Sequence, residues 1–274
     1  MSAARQTGGD QHRPDPSSLN PGSRDAGSTD AGSPNPGSLN PDSPNPGSPN
    51  PDSPDASSLN PGSPDASSPD PGLIVDEHGV PRCFWQPSMP DYHDHEWGRP
   101  VTDDRRLFEK ICLEGFQAGM AWITILRKRE AFREAFDDFD MERVARYTER
   151  DVERLMGNDA IVRNRAKIVS AINNAQRARE LADETGSLAG WLWSHEPPPQ
   201  ARPAAVDRHY WDNNPTSKAS IELSRALKRR GWTFVGPTTM HAFMQAVGMV
   251  NEHMSGCVCH AQIEATRARL RRPG

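Results

Sequence analysis

Cys83 and His93 stand near one end of the globular part of this chain, and His253 and Cys257 stand near the other. Two soft thiolates and two imidazoles are the donor set of a closed, tetrahedral structural zinc site. The Cys83-x9-His93 spacing is too long for a zinc knuckle and suits a loop that folds back. His253-x3-Cys257, where a last helix is expected to run out, would put both side chains on one helical side. Taken together, the two pairs would tie the ends of one domain. Cys259 and His260 are rival ligands that spacing leaves open. Cys112 falls on the apolar face of a helix and reads as a small core residue.

Glu114 is the second residue that could do chemistry. It follows Ile111, Cys112 and Leu113 and precedes Gly115, Phe116 and Gly119. A carboxylate in such company is either solvated on the reverse face of its helix or buried for a purpose. Trp85, Tyr92, Trp97, Phe116 and Trp122 fall within 40 residues of one another. Around one acid they would make an apolar box with a negative floor, suited to a flat cationic ligand. The competing reading is an ordinary aromatic core. Lys110, Lys128 and Lys167 sit on helices among other charges, and none is placed as a Schiff-base nucleophile.

Residues 149–172 read as a helix, a tight turn around Gly157, Asn158 and Asp159, and a second helix opening with Arg163, Arg165 and Lys167. A hairpin of this kind offers backbone N–H groups and basic side chains to a DNA phosphate. Any helical hairpin has such a turn, and the glycine-rich form of the motif is missing. The clusters Arg225–Arg230 and Arg267–Arg272 could be phosphate contacts or solvated faces, and the second reads as a fraying tail.

The elements that must position these residues follow from apolar spacing. Residues 103–118 form a helix behind Thr102 as a cap, and 121–137 form another. Short helices at 140–147 and 149–156 precede a long one at 163–184 that Gly186 ends. A WLW turn and a Pro-rich loop at 196–204 lead to helices at 217–230 and 239–253. No window alternates apolar and polar residues, so the fold class is all-α.

Residues 1–72 are of another kind. They hold 15 of 26 prolines, 15 serines and 9 of 21 glycines, with no aromatic, lysine or glutamate, and run in five-residue units such as SPNPG from Ser33. Too little apolar surface is available there to offset chain entropy, so a disordered acidic spacer is expected, ahead of one domain over 73–274 whose last ten or so residues are flexible. The net charge of -5 divides unevenly, because the arm carries 3 arginines and 9 aspartates and leaves 29 basic against 28 acidic residues beyond it. That near-neutral balance neither excludes nucleic acid nor argues for it. Four cysteines in 274 residues make no disulfide scaffold. With no signal-peptide pattern and no apolar run of about 18 residues, the chain reads as soluble, cytoplasmic and without a membrane partner.

The strings RCFW, YHDHEWG, LFEKICLEGFQAGMAWITIL, KRRGWTFVGPTT and FMQAVGMVNEHMSGC, in this order over about residues 81–259, resemble the DNA-3-methyladenine glycosylase I family. The resemblance implies a monofunctional, monomeric bacterial base-excision repair enzyme of the helix-hairpin-helix superfamily, which flips 3-methyladenine out of double-stranded DNA and hydrolyses its glycosidic bond. It implies that Cys83, His93, His253 and Cys257 bind one structural zinc. It makes Glu114 the catalytic carboxylate that hydrogen-bonds the extruded base and Trp122 the ring that stacks on it, with Tyr92 and Trp97 lining the pocket. Gly119 and Met120 match the wedge that enters the duplex. Met89 stands where some relatives have a further tyrosine. A zinc-stapled helix-hairpin-helix module that binds DNA without catalysis is the alternative, and it would need no Glu114.

Overall fold

Short polar turns and buried helical faces set the architecture of residues 72–274, the part of the chain described by the computed structural model. The arm expected over 1–72 lies, apart from Gly72, outside the described residues.

The domain begins with a two-stranded antiparallel hairpin, β1 (Leu73–Val75) and β2 (Pro81–Cys83), with Leu73 opposite Cys83. Asp76 closes its turn by accepting from the N–H groups of His78 and Val80, each at 2.9 Å. The described residues are otherwise helical, as the all-α expectation has it, and this hairpin was not expected because three-residue strands are too short to show alternation in sequence. The hairpin delivers Cys83 as its last residue, fully buried.

α1 (Pro90–His95) follows, opened by a proline whose missing N–H costs nothing in the first turn. α2 (Asp104–Gln117) is capped by Asp103, not Thr102, whose carboxylate accepts from the Arg106 N–H at 3.0 Å. Every residue of α2 from Leu107 to Gln117 is buried, so this helix is enclosed on all sides. α7 (Arg165–Thr185), α8 (Leu188–Trp193) and α11 (Pro237–Ala246) pack around it, and α10 (Lys218–Arg229) pairs with α11. Phe116, Phe132, Phe136 and Phe139 interlock at one end of this core, with ring centroids 4.6–6.2 Å apart.

The single helix expected over 121–137 is two: α3 (Trp122–Arg127) and α4 (Arg129–Ala135), broken where Lys128 leaves helical geometry. α5 (Met141–Val144), α6 (Glu149–Met156) and α9 (Arg208–Asn213) complete the set up to α11. α11 is shorter than the 239–253 helix expected, ending at Ala246. His253 therefore lies in a connecting loop. Cys257 caps a further helix, α12 (Val258–Arg269), so the two do not share one helical side as expected. The final basic cluster is not a free tail at its start. Arg267 is buried and donates to the Met249 carbonyl and to Glu196, each at 2.9 Å, and Arg272 reaches the same Glu196. Among the described residues no helix is long and apolar enough to cross a membrane.

Candidate functional site

β2, α1 and the α11–α12 loop bring Cys83, His93, His253 and Cys257 together, all four buried, with one donor atom of each inside a common 4.8 Å. Cys83 Sγ lies 3.6 Å from His253 Nδ1, and Cys257 Sγ lies 3.6 Å from His93 Nε2 and 3.7 Å from His253 Nδ1. Donors held at zinc–sulfur and zinc–nitrogen bond lengths, at a tetrahedral angle, stand about 3.6 Å apart, so the set fits a tetrahedral ion of that size. The outward ring nitrogens are also occupied. His93 Nδ1 meets Asp94 Oδ1 at 2.6 Å, Asp94 in turn accepts from Arg82, and His253 Nε2 meets the Trp97 carbonyl at 3.1 Å. Such partners fix the ring orientation that a metal ligand needs.

Local backbone conformation serves this cluster. Gly98 adopts φ +78°, and a Cβ there would stand 3.1 Å from Ile263 and 3.2 Å from the His253 ring. Only glycine lets the chain turn that close to the imidazole. Of the rival ligands, Cys259 approaches His93 Nδ1 at 3.9 Å, on the ring edge that faces Asp94, where it falls with His93 and Asp94 in a second possible donor group, its thiol also neighbouring that of Cys257. His260 is not among the clustered donors.

Glu114 is buried, with 3% of its surface exposed, and its Oε2 has no hydrogen-bond partner among the described residues. Burial pushes its carboxyl up to about 8, with the charge of Lys110 pulling the other way. Tyr92 and Trp122, both buried, form the nearby wall, with ring centroids 5.7 Å apart and planes inclined at 44°. Burial, then the charges of Glu114 and Glu96, hold the Tyr92 hydroxyl well above its usual range.

The five aromatics expected as one box divide three ways. Trp85 and Trp97 flank the four-donor cluster, with Trp97 4.6 Å from the His253 ring and Trp85 4.8 Å from that of His93. Trp97 makes no ring contact with Tyr92 or Trp122 among the described residues. Phe116 belongs to the phenylalanine core, packed 4.6 Å from Phe132. Met89 is the residue that precedes α1, and its carbonyl accepts from the His93 N–H at 3.0 Å.

Sequence reasoning missed Lys110 as part of this group. Its ammonium stands 4.8 Å from the Tyr92 ring centroid and 5.6 Å from that of Trp122, in an ion pair with Glu96. Glu96 is shared with Arg129 at 2.7 Å, and Arg129 continues to Glu109 at 2.6 Å. Burial alone would raise the Glu96 carboxyl, but Lys110 and Arg129 outweigh it and hold it down to about 2. The signal was present: Lys110 and Glu114 are four apart on one helix and face the same way.

Gly119 and Met120 lie in the tight loop between α2 and α3. Gly119 is exposed at φ +77°, and the Met120 N–H donates to the Gln117 carbonyl at 2.7 Å. Lys167 was expected at a DNA backbone. It is buried instead, and its ammonium donates to the carbonyls of Phe116, at 2.9 Å, and Ala118. These are orphan carbonyls of the α2 C-terminus, so Lys167 holds the Gly119 loop and is not free for a phosphate. Arg165 pairs with Glu149 across the hairpin, while Arg163 is exposed with no ion pair to a described residue. Lys128 donates to the Asp159 and Ala160 carbonyls of the α6–α7 turn, at 3.1 and 2.9 Å.

A family model described as methyladenine glycosylase matches residues 82–260. The chain is 45% identical over 185 residues to "DNA-3-methyladenine glycosylase 1" of Escherichia coli, covering 66% of this chain and 97% of the relative. It is 42% identical over 182 residues to "DNA-3-methyladenine glycosylase" of Haemophilus influenzae, covering 65% and 97%. Among solved structures, the Staphylococcus aureus 3-methyladenine DNA glycosylase I superposes with a TM-score of 0.60 at 36% identity, over 64% of this chain and 92% of that one. A solved complex of 3-methyladenine DNA glycosylase I with 3-methyladenine superposes at 0.57, with the same identity and coverage.

Proposed function

The chain belongs to the methyladenine glycosylase family, and we propose that it releases 3-methyladenine from alkylated DNA with Glu114 as the carboxylate that holds the flipped base. Its activity is base-excision repair by hydrolysis of an N-glycosyl bond. The observation that carries the assignment of Glu114 is its buried Oε2, an acceptor without a donor, next to the Tyr92 and Trp122 rings. An unsatisfied buried acceptor costs about 1–3 kcal/mol, and a base bearing N–H donors recovers it.

A stacked base must be turned out of the duplex, at a cost of a few kcal/mol that is smaller for a damaged base. N3-methylation makes adenine cationic and a good leaving group. As the bond to the sugar breaks, its electron pair neutralises the base; water adds to the sugar carbon and gives up a proton. The protein therefore has to orient the base and stabilise its charge more than supply a strong acid. In this reading Trp122 stacks on the base, Tyr92 forms the adjacent wall, and the exposed Gly119–Met120 loop enters the duplex gap.

The four-donor cluster holds one zinc ion in this reading, and the ion supplies structure, not chemistry, because all its positions are filled by protein. α6, its turn and α7 serve as the helix-hairpin-helix, with the N-terminal end of α7 and Arg163 toward a phosphate. Trp97 supports the metal cluster and is a pocket residue only through its neighbours. Release of free 3-methyladenine from methylated DNA by the purified protein, followed by mass analysis of every base released, tests the assignment. No released base would overturn it.

A further inference from the structure

A lysine that is 1% exposed is rare and needs a reason. Lys110 stands one helical turn before Glu114 on α2, with its ammonium over two aromatic rings and against Glu96. The ring faces and the Glu96 carboxylate compensate a charge that would otherwise leave the interior. Burial lowers its ammonium from the ordinary lysine value, with the charges of Glu96 and Glu114 pulling the other way, and among the described residues it is the cation that acts on Glu114.

We propose that Lys110 is a positioning residue for base excision: held by Glu96 against the rings of Tyr92 and Trp122, its ammonium is the counter-charge that lets buried Glu114 ionise and so accept from the base. This rests on the reading that Glu114 faces the flipped base.

Among the described residues, the charged and titratable groups acting on the pair come from three elements. α1 supplies Tyr92, and the turn after it Glu96. α2 supplies Lys110 and Glu114, with Glu109 beyond Arg129, and α4 supplies Arg129. Arg129 is committed to Glu96 and Glu109 through its Nη1 and Nε. The charge acting on Glu114 in the direction of ionisation is that of Lys110. A neutral Glu114 could offer a proton but would lose half its acceptor capacity. A carboxylate accepts with both oxygens and opposes the positive charge of an N3-alkylated base.

The same ammonium also offsets part of the negative field of the site.

Two measurements on the full chain with its metal test this. In the first, single-turnover release of 3-methyladenine is followed from pH 6 to 10 for wild type, Lys110→Met and Lys110→Arg. Wild-type excision should rise with pH through about 8. Lys110→Met should move that rise upward by about one to two pH units, the size of one charge at helical i,i+4 distance in a screened interior. The deficit should then be about tenfold or more at pH 7 and shrink as pH rises. Lys110→Arg should keep the wild-type rise. A lowered rate of unchanged pH dependence in Lys110→Met, or an unshifted profile, would overturn the proposal.

The second measurement titrates the Glu114 carboxyl by carbon NMR in DNA-free wild type and Lys110→Met, where the same upward displacement is expected. Equal titration curves would overturn the proposal whatever the protein does to DNA. If wild type titrates as described but releases no base, the excision reading fails, and the pairing of Lys110 with Glu114 stands apart from it.

Discussion

Tyr92 and His93 are consecutive residues of α1 whose side chains enter two different clusters. The Tyr92 ring lies 5.7 Å from that of Trp122, beside Glu114, while His93 Nε2 points at Cys257 Sγ across 3.6 Å. α1 is only six residues long and too short to hold itself as a helix. Its position is fixed by what its side chains grip, so the Cys/His cluster and the Tyr92–Trp122 wall are mechanically one unit.

Loss of the metal should therefore reach the pocket. Cys257→Ser or His93→Ala is expected to lose bound zinc and several kcal/mol of stability, about 10 °C or more in Tm for a domain of this size. Excision should fall with it as Tyr92 loses its anchor. Cys259→Ser, on the Asp94 edge of His93, should keep the metal. Metal analysis with thermal denaturation checks both, and metal loss in Cys259→Ser with retention in Cys257→Ser would reverse the ligand assignment.

Gly98→Ala tests the same unit without replacing a ligand. The added methyl meets Ile263 and the His253 ring at a backbone φ of +78°. A cost of about 1–3 kcal/mol is expected, with weaker zinc retention during dialysis against a chelator. Unchanged Tm and metal content would show that the loop gives way freely.

The helices were legible in sequence because apolar spacing is a local signal, whereas spacing left Cys259 and His260 open as ligands and only the family resemblance singled out the four residues that the structure brings together. What was illegible was set by tertiary contact. Lys167 reads as a phosphate contact at the start of a helix, yet its destination is the pair of carbonyls at the end of α2. Trp97 is near Tyr92 in sequence but turns toward His253, since the chain reverses at Gly98. The β1–β2 hairpin is too short to show a period, and α12 hid in a basic stretch whose Arg267 pairs internally with Glu196.

Lys167→Met separates the two readings of that residue. Removing the ammonium leaves two α2 carbonyls short of a donor, at about 1–3 kcal/mol of stability. The slope of DNA affinity against salt should not change, because no phosphate contact is lost, whereas Arg163→Ala should lower that slope by about one. A reduced slope in Lys167→Met would restore its role at the DNA backbone.

Stability should depend on pH through Glu114. Its folded carboxyl is pushed up to about 8 from an ordinary 4.5. The folded state thus holds a proton that the unfolded state has released, and this contribution is fully present below about 4.5 and lost as pH rises toward 8. Against Glu114→Gln, wild type should lose stability across that window, by at most about 1.4 kcal/mol per pH unit, and level off above it. Denaturant titrations of both proteins at pH 5, 7 and 9 measure the difference, which isolates this one group. A constant difference would place Glu114 in water.

The most direct measurement is single-turnover release of 3-methyladenine from methylated duplex DNA by wild type and Glu114→Gln at matched zinc content. The amide keeps the size of the side chain but loses the charge and turns one acceptor into a donor. Wild type should release the base, and Glu114→Gln should be slower by about 100-fold or more while keeping its fold, its zinc and its affinity for undamaged duplex. Equal rates for the two proteins would contradict the assignment of Glu114 as the group that holds the flipped base.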